Sequence, residues 1–205
     1  MTDLIISVAD GYQEKVIEAL LPRVPLASNT RHFTFDIIKN PGHDPGSYND
    51  SHELLRPFIN QYHFAIVLFD FEGTGVEHLS PSEIQSDVHN LLNSNGWNER
   101  NAVIVICPEL ETWMWMDNRH VQDAIGWDRN SSLYDWARQN NYLEDGRLKP
   151  NRPKETLEEA LKLCETSKSA SIYKNIAARA SYRNCQDPSF RYFIDTLQNW
   201  FPITQ

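Results

Sequence analysis

The chain has 205 residues, a mass of 23.8 kDa and a formal net charge of −9, with 40% hydrophobic and 23% charged residues. That balance excludes disorder and low complexity, and no apolar run reaches the ~18 residues of a membrane-spanning helix. The negative charge excludes a generic DNA-coating protein.

The first residues carry no basic segment and no small-residue cleavage site, so no signal peptide is expected. Cys107, Cys164 and Cys185 are odd in number and widely spaced. They fit neither a zinc site nor a disulfide framework, and a reducing cytoplasm is the expected compartment.

Leu4 to Ala9 is apolar and rich in β-branched residues, and reads as a buried strand ending at Asp10-Gly11. Gly11 to Leu21 carries Val16, Ile17, Leu20 and Leu21 at helical spacing, with Pro22 as the stop. His32 to Ile38 alternates and reads as a second strand. Asn40 to Gly46 holds two prolines and two glycines and reads as a loop. A helix is expected from Ser51 toward Asn60, interrupted by Pro57.

Phe64 to Phe69 is nearly continuous in its apolar character, as a central strand covered on both faces would be. It runs into Asp70-Phe71-Glu72-Gly73-Thr74-Gly75. Ser80-Pro81-Ser82-Glu83 is a helix start with N-cap, first-turn proline and capping-box glutamate. Ile84, Val88, Leu91 and Leu92 form the stripe of that helix, and Asn95-Gly96 ends it. Ala102 to Ile106 is the fourth strand, closed by Pro108, and Glu109 to Met116 reads as a short helix.

Beyond Asp117 only helices are expected: Ser131–Asn140, Pro153–Cys164, Ser169–Arg183 and Pro188–Phe201. Phe190, Phe193, Ile194, Leu197 and Phe201 give the last one a core-facing stripe. The alternation of strands and helices predicts an α/β fold, a mostly parallel sheet of about four strands flanked by helices. Residues 1–117 would form that core, and residues 118–205 a helical extension packed on it.

Ligands of open parallel sheets bind beyond the carboxyl ends of the strands. Asp10 ends the first strand, Asp70 ends the third with Glu72 close behind, and Glu109 and Glu111 follow the fourth. Converging carboxylates repel one another unless a cation sits among them. Oxygen ligands of this kind suit Mg²⁺ or Mn²⁺, the ions of phosphoryl chemistry. The alternative for each acid taken singly is a partner for a helix N-terminus.

Three segments resemble the Toprim-like proteins of bacterial phage-defence and mobile-element loci. Asp10-Gly11-Tyr12-Gln13-Glu14 is similar to that family's Glu-Gly-x-x-Glu after the first strand. Asp70-Phe71-Glu72 stands where its Asp-x-Asp pair would be. Glu109-Leu110-Glu111-Thr112-Trp113-Met114-Trp115-Met116-Asp117 resembles its Glu-Ile-Glu-Ala-Trp-x-x-x-Asp signature. Pro153-Lys154-Glu155, Tyr173-Lys174 and Cys185 to Phe193 resemble its helical tail. Asp10 departs from the usual glutamate and Glu72 from the usual aspartate, each moving the carboxylate by roughly 1.5 Å.

The resemblance implies a Toprim-like fold and a divalent-metal-dependent nuclease, or nuclease-like subunit, of an anti-phage system. It implies Asp10 and Glu14 as acid/base or metal-binding groups and Asp70 and Glu72 as catalytic metal ligands. Glu109 and Glu111 would be further ligands or their supports. The alternative is a non-catalytic interaction subunit with an eroded site, binding a protein of the same system or a second copy of itself. A third reading takes Asp70-Phe71-Glu72-Gly73-Thr74 as a haloacid-dehalogenase phosphatase motif. Against it stand the motif's place on the third strand and Glu72 in the general-acid position.

Charge is divided along the chain. Met1 to Asp117 holds 6 Lys/Arg against 17 Asp/Glu, whereas Asn118 to Gln205 holds 13 against 11. Lys168, Arg179 and Arg183 fall within about 60° of one another on a helical wheel. With Arg191 nearby they form a candidate track for a nucleic-acid backbone, the alternative being a solvated helix face. Trp113 and Trp115 are candidates either for stacking a ligand or for the core.

Overall fold

The structure, a computed structural model, describes residues 1–115, 119–179 and 185–203. Four apolar segments form the strands: β1 (Thr2–Val8), β2 (Phe35–Lys39), β3 (Tyr62–Asp70) and β4 (Asn101–Ile106). They make one parallel sheet in the order β2-β1-β3-β4. Leu4 lies opposite Phe35 on one side and Phe64 on the other, and Leu68 opposite Ile104. This register brings all the carboxyl ends to one edge.

Helix α1 (Gly11–Leu20) follows β1, and α2 (Val24–Ala27) leads toward β2. Helices α3 (His43–Asn49) and α4 (Ser51–Leu55) join β2 to β3, and α5 (Pro81–Leu92) joins β3 to β4. After β4 come α6 (Glu111–Met114), α7 (Arg119–Ile125), α8 (Leu133–Gln139), α9 (Pro153–Leu163), α10 (Ala170–Arg179) and α11 (Pro188–Trp200).

Several elements differ from the sequence expectation. Strand β2 begins at Phe35 rather than His32, because pairing with β1 starts there. The segment expected as a loop over residues 40–46 turns into α3 at His43, with Pro45 tolerated in the first turn. The helix from Ser51 ends at Leu55 and tightens into a 3₁₀ turn at Arg56–Phe58, which holds Pro57. Helix α7 has only Val121 and Ile125 as buried residues, too short a stripe to stand out in the sequence.

Alternate strand residues enter two cores. Leu4, Ile6, Val8, Ile66, Leu68 and Ile104 join one, with residues of α1, α9, α10 and α11. Ile5, Ala65, Val67, Phe69, Val103 and Val105 join the other, with Leu55 of α4 and Ile84, Val88 and Leu92 of α5. Helix α1 packs on α10 and α11 on β4, so the C-terminal helices complete a face of the sheet. Phe64 of β3 stacks on Trp200 at 4.4 Å between ring centroids, and Phe33 on Phe201 at the same distance.

Helix α5 starts as its sequence specifies: Ser80 and Glu83 form a reciprocal capping box and Pro81 occupies the first turn. Leu91 is 38% exposed and lies outside the buried stripe. The chain leaves the helix through Gly96, whose φ of +96° suits glycine. No described helix is long and apolar enough to cross a membrane.

Candidate acidic site at the carboxyl edge of the sheet

Asp10 leaves β1 in extended conformation and caps α1, its Oδ1 accepting from the N–H groups of Tyr12 and Gln13, both at 2.8 Å. The helix-capping alternative therefore describes its local role. Asp70 closes β3 at the same edge. Its backbone N–H donates to Asp44 Oδ1 at 2.9 Å, and its own Oδ1 accepts from Gln13 Nε2 at 3.0 Å. The Leu110 N–H also donates to it. The residue is partly accessible, but its carboxyl group is enclosed.

Enclosure raises Asp70 well above the ordinary carboxylate range, and the charges of Asp44, Glu111 and Asp10 push it further up. The Leu110 N–H pulls it the other way. Asp44 is raised too, first by burial and then by the charge of Asp10, against the hydrogen bond from Asp70. Asp10, Asp44, Asp70 and Glu111 are thus one coupled acidic group spanning the ends of β1 and β3 and the starts of α3 and α6.

The acids divide by their partners. Glu109 is 3% exposed, and its carboxylate accepts from the Lys154 N–H at 3.3 Å and from Lys154 Nζ at 3.0 Å. It thereby serves the first turn of α9 as well as pairing with a cation. Burial raises its pKa and the Lys154 hydrogen bond opposes the rise. Burial works against the Lys154 ammonium, but Glu109, Glu111 and Asp70 outweigh it and lift its pKa.

Glu111 is 4% exposed and accepts from the Tyr173 hydroxyl and from Lys168 Nζ at 3.3 Å. Burial, followed by the charge of Glu111, raises the Tyr173 phenol. Glu14 points to the β2 side and pairs with Lys39 at 3.5 Å. By contrast, none of Asp10, Asp44, Asp70 and Glu72 has an ion-pair partner among the described residues.

Glu72 is exposed, in the turn after β3, where its N–H donates to the Pro108 carbonyl at 3.0 Å. Its charge reaches Glu109 and Cys107. The Gly73 and Gly75 N–H groups of that turn donate to the Glu77 carboxylate at 2.8 and 3.2 Å, which holds the turn in place.

Asp10, Asp44 and Asp70 offer oxygen donors of the kind a hard divalent cation takes, whereas Glu72 is exposed and its charge acts on Glu109 and Cys107. As the side chains stand, no three His, Cys, Asp or Glu among the described residues gather into a metal-holding group. Ligation therefore requires these carboxylates to turn toward one another.

The basic candidates are separated. Lys168 precedes α10 rather than sharing a helix face with Arg179. Its ammonium turns inward to Glu111 and to Glu158 at 2.9 Å, and lies over the Tyr12 and Tyr173 rings. Arg179 is exposed at the last turn of α10, and Arg191 is exposed on α11 beside Gln186. Arg183 lies outside the described residues, as does Asp117 of the tryptophan-bearing segment.

Trp113 and Trp115 are buried. Their indole N–H groups donate to Ser189 Oγ at 2.9 Å and to the Pro153 carbonyl at 2.8 Å. They are core residues, and neither offers a stacking face to a ligand.

Two members of the site escaped the sequence reading. Asp44 lies beyond β2 in the stretch that reads as a loop, where the strand-end rule would have reached it had it been extended a few residues. Gln13 is neutral, but Asp10-x-x-Gln13 has the spacing of a capping box. The chain was compared with models of protein families, with curated proteins and with solved structures, and nothing matched.

Proposed function

We propose that the acidic edge is the working site of a Toprim-like, nuclease-class protein acting on phosphodiesters in an anti-phage system. The observation that carries this reading is the gathering of Asp10, Asp44 and Asp70, two of them raised in pKa and none in an ion pair among the described residues, at the ligand-binding edge of a parallel sheet. Asp10, Asp44, Asp70 and Glu72 would hold Mg²⁺ or Mn²⁺. When bound, such an ion supplies Lewis-acid activation of a phosphoryl oxygen and neutralises developing charge.

The remaining groups have supporting roles in this reading. Lys154 and Lys168 neutralise Glu109 and Glu111, so that these carboxylates brace α9 and α10 against the edge. Arg179 and Arg191 are the exposed cations left to meet a phosphate backbone.

The test is cleavage of labelled single- and double-stranded DNA and RNA by the full chain, with Mg²⁺, Mn²⁺ or chelator. The expected result is metal-dependent cleavage that disappears in Asp70→Asn. Absence of cleavage under every condition, or full cleavage in Asp70→Asn, overturns the assignment.

A second reading, a non-catalytic interaction subunit, is favoured by the ion pairing of Glu14, Glu109 and Glu111 and by the lack of a ready-made set of three ligands among the described residues. It predicts that Asp70→Asn leaves phage defence intact. Any partner surface would then lie away from the buried Trp113 and Trp115.

A further inference from the structure

A cavity of about 620 Å³ lies where the turn after α7 meets α8 and the end of α9. Asp128, Arg129 and Asn130 line it from the turn, Trp136 from α8, and Leu163 and Cys164 from α9. Its size is that of a small-molecule site, for which roughly 300–1,000 Å³ is usual. It is separate from the acidic edge. Lys154 meets Glu109 in the first turn of α9, and Leu163 lies at the far end of that helix, about 14 Å along its axis.

The aromatic wall of the cavity is fixed. Trp136 packs on Trp127 and on Tyr142, 5.2 Å from each between ring centroids. The Trp127 indole N–H donates to the Ser131 carbonyl at 2.8 Å and holds the turn. Arg129 lies 5.3 Å over the Trp127 ring, and its Nη2 donates to the Leu163 carbonyl at 2.8 Å, a cation at the C-terminus of α9. That bond occupies one of the five N–H groups of the guanidinium. By contrast, the Asp128 carboxylate, the Asn130 side-chain amide and the Trp136 indole N–H have no hydrogen-bond or ion-pair partner among the described residues.

We infer that this cavity is a nucleotide site, taking a base against Trp136 and its phosphate on Arg129. A base is a flat ring with donors and acceptors on its rim. An aromatic wall beside an amide that both donates and accepts meets those needs together. Asp128 suits an exocyclic amino group of the base, and a guanidinium with free N–H groups suits a phosphate. The same chemistry is offered by a free nucleotide and by an unpaired base within a single strand. The site stands whether or not the acidic edge cleaves phosphodiesters.

The experiment is calorimetric titration of the full chain with AMP, CMP and GMP, with adenosine, and with a short single-stranded oligonucleotide. One of the nucleotides should bind, with AMP ahead of adenosine. Arg129→Gln should weaken AMP about 10-fold and bring it to the level of adenosine. Arg129→Lys keeps the charge and should keep AMP ahead, which separates phosphate binding from loss of the α9 contact. Asn130→Ala should weaken AMP and adenosine alike. Bound AMP should slow maleimide labelling of Cys164, read by peptide mass, and leave that of Cys107 unchanged. A strand that binds at least about 10-fold more tightly than AMP assigns the site to an unpaired base in a strand. A smaller difference assigns it to a free nucleotide.

No binding of any nucleotide or of the strand at millimolar concentration overturns the inference. So does binding that Arg129→Gln and Asn130→Ala leave unchanged. Binding that leaves Cys164 labelled at its ligand-free rate places the nucleotide elsewhere and overturns it too.

Discussion

The hydroxyl of Tyr173 in α10 donates to the carboxylate of Glu111 in α6, 62 residues earlier, and both side chains are buried. The contact ties the C-terminal helices to the sheet edge by a charge-assisted hydrogen bond. Lys168 completes it by pairing with the same oxygen while resting against the Tyr173 ring.

Tyr173→Phe removes the hydroxyl and little else. Among the described residues Glu111 then keeps Lys168 as its side-chain partner, with part of a buried carboxylate unsatisfied. The expected cost is about 1–3 kcal/mol, seen as a lower midpoint in urea with an unchanged slope. An unchanged midpoint would mean that water replaces the hydroxyl without loss.

Asp70 governs a pH effect of defined sign. Burial and then the facing carboxylates raise its folded pKa above the unfolded value, so its ionisation costs stability. The penalty grows as pH rises from the ordinary carboxylate range through the folded pKa, and it is absent in more acidic solution. In chelator-treated protein Asp70→Asn should therefore melt higher at pH 7. For a gain of about 1 kcal/mol the rise is roughly 2–4 °C. The gain should shrink as pH is lowered toward 4, and a gain independent of pH would trace it to packing instead.

Asp3 has the opposite sign. Its carboxylate pairs with Arg31 at 2.6 Å and accepts from the Thr34 N–H at 2.8 Å, joining the starts of β1 and β2. The Arg31 hydrogen bond, against some burial, brings its pKa down to about 2. The stability it contributes is full above the unfolded carboxylate pKa and is lost as pH falls through about 2. Arg31 is partly exposed, so solvent screening limits the effect to roughly 1 kcal/mol. Asp3→Asn should melt lower at pH 7, by an amount that narrows in added salt and closes in acid.

Gly96→Ala tests the exit from α5. The glycine holds φ +96°, and an added Cβ would come within 2.8 Å of Ile59 Cδ1, the flexible end of that side chain. The side chain can give, so the backbone conformation dominates. The expected loss is about 1–2 kcal/mol, measurable by chemical denaturation. An unaffected variant would show that the turn readily changes conformation.

The sheet was legible because Leu4 to Ala9, Phe64 to Phe69 and Ala102 to Ile106 are apolar on both faces. A parallel strand covered on both faces carries that pattern, and the flanking turn residues and alternation with helices point to it here. Helices α3 and α7 were not legible, since one starts within a proline- and glycine-rich stretch and the other offers two buried residues. Asp10 and Asp70 followed from the strand-end rule. The pairing of Glu109 with Lys154 and of Glu111 with Tyr173 did not, because it spans 45 and 62 residues and depends on how distant helices dock. The same docking buried Trp113 and Trp115, and drew Lys168 inward from the surface that its helical spacing with Arg179 had implied.

The aromatic stacks of Phe64 on Trp200 and Phe33 on Phe201 have a consequence in time. A ribosome makes the chain from its N-terminus, so all the strands emerge long before α10 and α11 exist. At roughly 10 residues per second, the stretch after β4 takes on the order of ten seconds to appear. Helices α4 and α5 cover one side of the sheet at once and α1 begins to cover the other, while the part of that side that packs on α11 waits until that helix is made. During that interval the part of this face that α10 and α11 later cover stays open to solvent.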